Sequence, residues 1–298
     1  MSSVSKGNPA FWFAPILVLL AIVMIYPTMS LLWISVNETR FFDPVGFVGL
    51  ENFRNVLGSE DFAQQAKNSF LFVGGSLALA LSFGLFTAVL LQALEQRTAA
   101  LVRTILLLPW TLSMTVVGCL WLWLLNPSYG PVKYLLSLIQ VQTGLMLGDP
   151  DLAIWLIIIA SAWWSFPYAM VLITAALQSI PRELYEAVEM DGGSALDKFR
   201  HVTWPHVVPT LGSTGLALAI MYITLVSLII VMTGGGPLGE TTTFSFAIYK
   251  ETVNSVDISP AAVLSIIVLL ANLVLGIGYS LPLSRTRRSI IPCSLAIA

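Results

Sequence analysis

The sequence predicts an all-α polytopic membrane protein with six transmembrane helices and one charged interior loop. Three observations carry that fold class: 57% of the 298 residues are hydrophobic, only 10% are charged, and the apolar residues gather into six long runs. A helix needs ~20 apolar residues to cross a hydrocarbon layer roughly 30 Å thick. In lipid the backbone groups must be satisfied within the segment, so helices are the expected form.

The first run, 11–36, follows Lys6 and is interrupted only by Pro15 and Pro27. It is longer than the apolar core of a secretory signal and has no small-x-small cleavage site after it, which predicts a retained span. The remaining runs are 68–94, 105–125, 153–178, 207–232 and 261–283. Polar connectors 37–67, 95–104, 126–152, 179–206 and 233–260 separate them, and a tail begins at Ser284. Pro127, Gly130 and Pro131 mark a turn after the third run. The stretch 134–147 is apolar but short, which suits a helix lying at the interface. Thr233-Gly234-Gly235-Gly236-Pro237 is a sharp glycine-rich turn after the fifth run. With no internal repeat and no low-complexity linker, one domain over 1–298 is expected.

Basic residues set the orientation. Lys6, Arg97, Arg103, Arg182, Lys198, Arg200, Arg285, Arg287 and Arg288 fall on one side of the runs. Arg40, Arg54, Lys67, Lys133 and Lys250 fall on the other. The split of nine against five places both termini and the 179–206 loop in the cytoplasm. Cys119 lies in an apolar run and reads as a packing residue, while Cys293 lies near the C-terminus. Two isolated cysteines and two histidines support neither a disulfide framework nor a metal site.

The 179–206 connector is the charge-dense one. It holds Glu183, Glu186, Glu189, Asp191, Asp197, Lys198 and Arg200, whereas the runs on either side hold no Asp, Glu, Lys or Arg. Pro181 suits a first helical turn, with Glu183 and Glu186 near the positive end of the helix dipole. Leu184 and Val188 are four apart and share a face. Gly192-Gly193 then stops the helix, because glycine adopts the left-handed conformation at low cost. Ser194 and Asp197 form a capping-box pattern for a second short helix, and Pro205 and Pro209 mark re-entry into the fifth span. An apolar pair rimmed by acids reads as a partner surface. A solvated loop kept wet by its charges is the alternative.

These residues resemble the cytoplasmic loop of the membrane subunits of binding-protein-dependent ABC importers. That loop reads Glu-Ala-Ala, three residues, Gly, nine residues, then Ile-x-Leu-Pro. The chain has Glu186-Ala187-Val188, Gly192 and Val202-Thr203-Trp204-Pro205 at the same spacing, with apolar replacements at Val188, Val202 and Trp204. Leu108-Pro109-Trp110, Trp121-x-Trp123 with Asn126-Pro127, Phe166-Pro167 and the 233–237 turn match as well. They narrow the resemblance to permeases for sugars, polyols and glycerol phosphates.

The resemblance implies a transport subunit of the cell inner membrane rather than an enzyme. Two nucleotide-binding ATPase subunits would dock on the coupling loop through Glu183, Leu184, Tyr185, Glu186, Ala187, Val188, Asp191, Gly192 and Pro205. ATP and magnesium would sit on those partners, and this chain, which lacks a GxxxxGK[ST] phosphate loop, would bind no cofactor. A second homologous permease, an extracytoplasmic solute-binding protein and membrane lipid are the other implied partners; nucleic acid is not. Solute contacts would fall on the third, fourth and fifth spans, at Ser113, Trp164, Tyr168, Tyr222, Thr224 and Ser227. The bland alternative is that these hydroxyls bond to their own helix backbone. The six runs carry no Lys or Arg, which favours a neutral sugar or polyol over glycerol phosphate. An ion-coupled carrier would need carboxylates or histidines at depth, yet His201 and His206 both lie in the loop.

Overall fold

The computed structural model describes residues 9–41, 43–140 and 144–290, and side chains over 13–41, 43–140 and 144–280. Lys6, Cys293 and the tail from 291 lie outside the described residues. The chain opens with α1 (Pro9–Leu20) and α2 (Tyr26–Ser35), joined by a widened π turn over Ala21–Ile25. A hairpin of β1 (Asn37–Arg40) and β2 (Asp43–Phe47) and a short α3 (Glu51–Leu57) come after them. Next come α4 (Glu60–Gln92), α5 (Gln96–Leu106), α6 (Met114–Leu124) and α7 (Pro131–Leu138). Then α8 (Pro150–Gln178) leads into α9 (Arg182–Met190), α10 (Ala195–Lys198) and α11 (Trp204–Ile223). The chain closes with α12 (Ser227–Met232), α13 (Phe244–Asn254) and α14 (Ser259–Ile290).

Among the described residues, five helical stretches are long and apolar enough to cross a membrane: Phe13–Ser35, Glu60–Gln92, Pro150–Gln178, Ala195–Ile223 and Ser259–Ser280. Two of the six expected apolar runs are locally broken. The third run, 105–125, breaks where α5 ends and a 3-10 turn, Leu108–Thr111, takes over. Pro109 sits in that turn and has no N–H to continue an α-helix. Ser113 then restarts the chain, its hydroxyl accepting from the Val116 N–H at 3.4 Å. The 11 residues of α6 span only ~16 Å, well short of the hydrocarbon thickness. The fifth run, 207–232, breaks between Ile223 and Ser227. Of the stretch 134–147 expected to form one helix, α7 covers only 134–138, having started at Pro131 and ended at Leu138.

The described residues fall into two compact units. In the smaller, residues 1–62 and 247–267, a polar cluster closes the hairpin base. Thr39 Oγ1 donates to Asp257 Oδ1 at 2.8 Å, and the N–H groups of Ile258 and Ser259 bond to Thr39 Oγ1 and Asp257 Oδ1 at 3.0 and 2.9 Å. Burial alone would raise the Asp257 pKa, but the hydrogen bonds from Ser259 and Thr39 together outweigh it and leave it below its ordinary 3.8. A carboxylate with a depressed folded pKa contributes stability above its unfolded value and loses it as pH falls through the folded one. Asp257→Asn should therefore melt earlier than the parent protein near neutral pH. The gap should close as pH drops below 3.8; a gap independent of pH would contradict the assignment.

The larger unit, residues 63–246 and 268–298, is organised on α8, which buries residues along its whole length from Ala153 to Leu177. On α4 the buried positions recur every fourth residue: Asn68, Phe72, Ser76, Ala80, Gly84 and Ala88. Small residues at that spacing let two helix backbones approach closely, the usual way helices associate in lipid. Ser76 and Ser161 hydroxyls meet across the seam at 2.6 Å. A Cβ built at Gly84 would lie 2.7 Å from Ala169 Cβ and 3.0 Å from the Met170 nitrogen. Cys119 is exposed on α6, so it is not the packing residue expected.

The segment just after the glycine turn is tied to the start of α4. Asn68 donates to the Gly239 and Thr242 carbonyls at 3.1 and 3.2 Å, and Gln64 donates to Glu240 at 2.6 Å. Thr241 closes the turn by donating to the Gly236 carbonyl at 2.7 Å.

Candidate functional site

The charged loop folds as a helix, an elbow and a second helix. α9 starts directly after Pro181, whose fixed φ suits an N-terminal flank, and its first turn carries Glu183. Tyr185 and Val188 turn inward, half-buried against the core of the larger unit. The Tyr185 hydroxyl lies 3.1 Å from the Thr203 hydroxyl and anchors the helix. Glu183, Glu186, Ala187 and Asp191 are exposed. Neither the Glu183 nor the Glu186 carboxylate makes a hydrogen bond or ion pair among the described residues.

The expected Leu184/Val188 patch is split. Four residues on a helix of 3.6 per turn rotate a side chain by about 40°, enough here to leave Leu184 exposed while Val188 packs inward. The exposed apolar surface instead comprises Leu184, Met190 at 88% and Leu196 at 72% exposure. Reading the sequence missed Met190 and Leu196; their signal was an apolar side chain flanked on both sides by loop polarity.

The elbow is built by two glycines. Gly192 has φ +75°, the left-handed conformation expected of it. Its N–H reaches the Glu189 carbonyl at 3.0 Å, and the Gly193 N–H reaches the Val188 carbonyl at 2.8 Å. This pair of bonds is a Schellman stop, which satisfies the last carbonyls of α9. Ser194 and Asp197 then form the reciprocal capping box that opens α10. A Lys198–Glu189 ion pair bridges the two sides of the bend.

Beyond the elbow the chain departs from expectation. α10 is not a separate short helix: it runs through a π segment, Phe199–Thr203, into α11, so Ala195–Ile223 is continuous. Pro205 stands at the start of α11 and Pro209 inside it, and neither ends the helix. The wider π turn just before Pro205 accommodates the carbonyl that a proline cannot bond. His201 and His206 Nδ1 bond to the Asp197 and Val202 carbonyls of the same helix, at 3.0 and 2.7 Å. The 29 residues from the elbow inward make a rod ~44 Å long.

The six candidate solute residues do not form one group. Trp164 and Tyr168 flank the ring of Trp110, at centroid distances of 4.3 and 5.1 Å. The Trp164 indole donates to the Leu112 carbonyl at 2.9 Å, pinning α8 to the break before α6. Tyr222 is buried and hydrogen-bonded to Ser165, with Phe72 edge-on at 6.0 Å. Ser113 is the cap of α6, and Thr224 bonds back to the Ile220 and Met221 carbonyls at 3.2 and 3.1 Å. Ser227 opens α12. Thr224 and Ser227 thus frame the break in the fifth run. Trp110, which was not among the solute residues expected, joins two that were.

Comparison with known proteins gives one consistent result. The family described as "binding-protein-dependent transport system inner membrane component" matches residues 80–288. The chain is 34% identical to the trehalose/maltose transport system permease protein MalF of Thermococcus litoralis, over 92% of each chain. It is 31% identical to the sn-glycerol-3-phosphate transport system permease protein UgpA of Pectobacterium atrosepticum, again over 92% of each. Among solved structures, a chain of a bacterial ABC transporter that imports the acidic polysaccharide alginate superposes with a TM-score of 0.77. That match is 23% identical and covers 93% of this chain and 94% of the other. An amino acid ABC transporter chain superposes with a TM-score of 0.52 at 17% identity, over 78% and 97%.

Proposed function

The chain belongs to the family of binding-protein-dependent transport system inner membrane components, and from that premise we propose that it is the permease subunit of an ATP-driven carbohydrate importer. The observation that carries this reading is the elbow at Gly192, which joins an acid-bearing helix to a continuous rod running into the membrane domain. Two ATPase subunits, which hold ATP and magnesium, dock on Glu183, Glu186, Ala187 and Asp191 with the apolar contacts of Leu184 and Met190. Tyr185 and Val188 brace the helix from behind, and Pro205 starts the transmembrane part of the rod. Closure of the ATPases pushes α9, and α10–α11 carries that displacement inward as a rigid-body movement. A second, homologous permease completes the path, both termini and the loop face the cytoplasm, and residues 1–298 act as one permease domain. A solute-binding protein delivers cargo at the opposite face, where Gly239, Glu240 and Thr242, just after the 233–237 turn, are held to α4.

The relatives' names point to sugars and glycerol phosphate. The absence of basic residues from the apolar runs favours a neutral sugar or polyol. The aromatic faces of Trp164 and Tyr168 beside Trp110 suit such a solute, with Ser113 and Ser227 as candidate hydroxyl contacts, whereas Tyr222 is buried and Thr224 is bonded to its own helix. Tyr168→Ala should raise the half-saturating solute concentration for uptake by about tenfold, the loss of one aromatic contact plus its hydroxyl. An unchanged value would remove Tyr168 from the path. The function itself is tested by assembling the chain with its ATPase, second permease and binding protein. Solute-loaded binding protein should stimulate ATP hydrolysis, and empty binding protein should not.

A further inference from the structure

A cleft of about 890 Å³ opens beside the elbow, between the end of α4, α5, the end of α8 and the start of α9. Arg103, Arg182 and Lys198 line it together with the amides of Gln92, Gln96 and Gln178, and no Asp or Glu does. Lys198 is paired with Glu189. Arg103 and Arg182 make no ion pair among the described residues, and Arg103 Nε is shut off from solvent with no acceptor. Arg103 therefore presents only its terminal N–H groups to the cleft, and these remain free to meet an acceptor there. The cleft is rich in cationic donors and holds no carboxylate to neutralise them.

The chemistry of the lining narrows the class of acceptor. Basic pockets between helices on the cytoplasmic side of membrane proteins bind phosphate head groups, and the cleft lies on that side in the orientation proposed above. Guanidinium forks suit phosphate oxygens because two parallel N–H groups meet two oxygens. We propose that this cleft is a phosphate-group site, filled by the phosphodiester head of an anionic phospholipid or by a free phosphate ion. The docking role of the exposed acids on α9 is separate from it, since none of those acids lines the cleft.

The test uses the full chain purified in a neutral detergent. Native mass spectrometry measures retention of phosphatidylglycerol against phosphatidylcholine. Thermal melting compares sodium phosphate with sodium chloride at equal ionic strength. Phosphatidylglycerol should be retained about tenfold over phosphatidylcholine, the effect of one charge-assisted hydrogen-bond set. Arg103→Gln and Arg182→Gln should each bring the ratio towards one, and Arg103→Lys should keep most of it. Should Arg103→Gln fail to fold, the exposed Arg182→Gln still decides the matter. A preference for phosphatidylglycerol without a phosphate shift assigns the site to lipid, and a phosphate shift without lipid preference assigns it to the free ion. If neither anion is preferred, or if both variants keep the preference, the proposal is overturned. The former result would fit an acidic patch of a partner protein in the cleft.

Discussion

Gly192→Pro should abolish solute-stimulated ATP hydrolysis in the assembled importer while leaving the membrane part of the chain folded. Gly192 has φ +75° and its N–H bonds to the Glu189 carbonyl. Proline fixes φ near −65° and has no N–H, so both features are lost at once. A conflict of about 3 kcal/mol at one residue lowers the population of the correct elbow by about a hundredfold. Gly192→Ala separates the two effects. A Cβ there meets nothing within 4 Å, so only the backbone cost of about 1–2 kcal/mol remains, and stimulation should fall to an intermediate level. The measurement is the rate of ATP hydrolysis with and without loaded binding protein. Near-normal stimulation by the proline variant would rule out the elbow as a mechanical joint.

Gly84→Leu should strongly destabilise the membrane part. The α4–α8 seam has no room for a side chain at Gly84, because Ala169 and the Met170 nitrogen occupy it. Overpacking of this kind costs about 1–3 kcal/mol even where neighbours are side chains, and here one of the blocking atoms is backbone. The melting midpoint in detergent should fall by roughly 5 °C or more. Gly74 provides the control on the same helix, since its Cβ would enter open space. Gly74→Leu should melt at or above the parent temperature. Equal losses at the two positions would mean that the seam is not what holds α4 to α8.

The parts of the fold written in local chemistry were readable from the sequence. Gly192 as the left-handed elbow and Ser194 with Asp197 as a capping box both appear as expected, because each depends on residues no more than a few positions apart. The long spans were readable for the same reason that hydropathy works in lipid. The breaks in the third and fifth runs were not. A run that is apolar on all sides looks the same whether its backbone is continuous or broken. Proline does not settle the question, since Pro109 sits in a break while Pro167 and Pro209 sit inside helices. What distinguishes Pro109 is its company: Ser113 four residues on offers a new cap, and Trp110 is held by Trp164 and Tyr168 of α8.

At the candidate site, the acids of α9 were placed outward as expected, but the partition of its apolar face was not visible. Whether Leu184 or Val188 turns inward depends on where the core of the larger unit lies, which is a tertiary fact. The merging of α10 with α11 was hidden for a related reason. Pro205 reads locally as a helix start, and only the π turn before it reveals that the helix has already begun. The donor-rich cleft escaped sequence reading because Arg103, Arg182 and Lys198 come from three separate elements.

The central claim is that work reaches this chain from a separate ATPase through the Gly192 elbow. It is tested most directly by solute uptake into proteoliposomes holding the complete assembly, with binding protein outside the vesicle face that receives cargo and ATP on the other. Uptake should require both ATP and binding protein and should persist when every ion gradient is collapsed. Uptake that proceeds without the ATPase subunits and stops on collapse of a proton or sodium gradient would contradict the account.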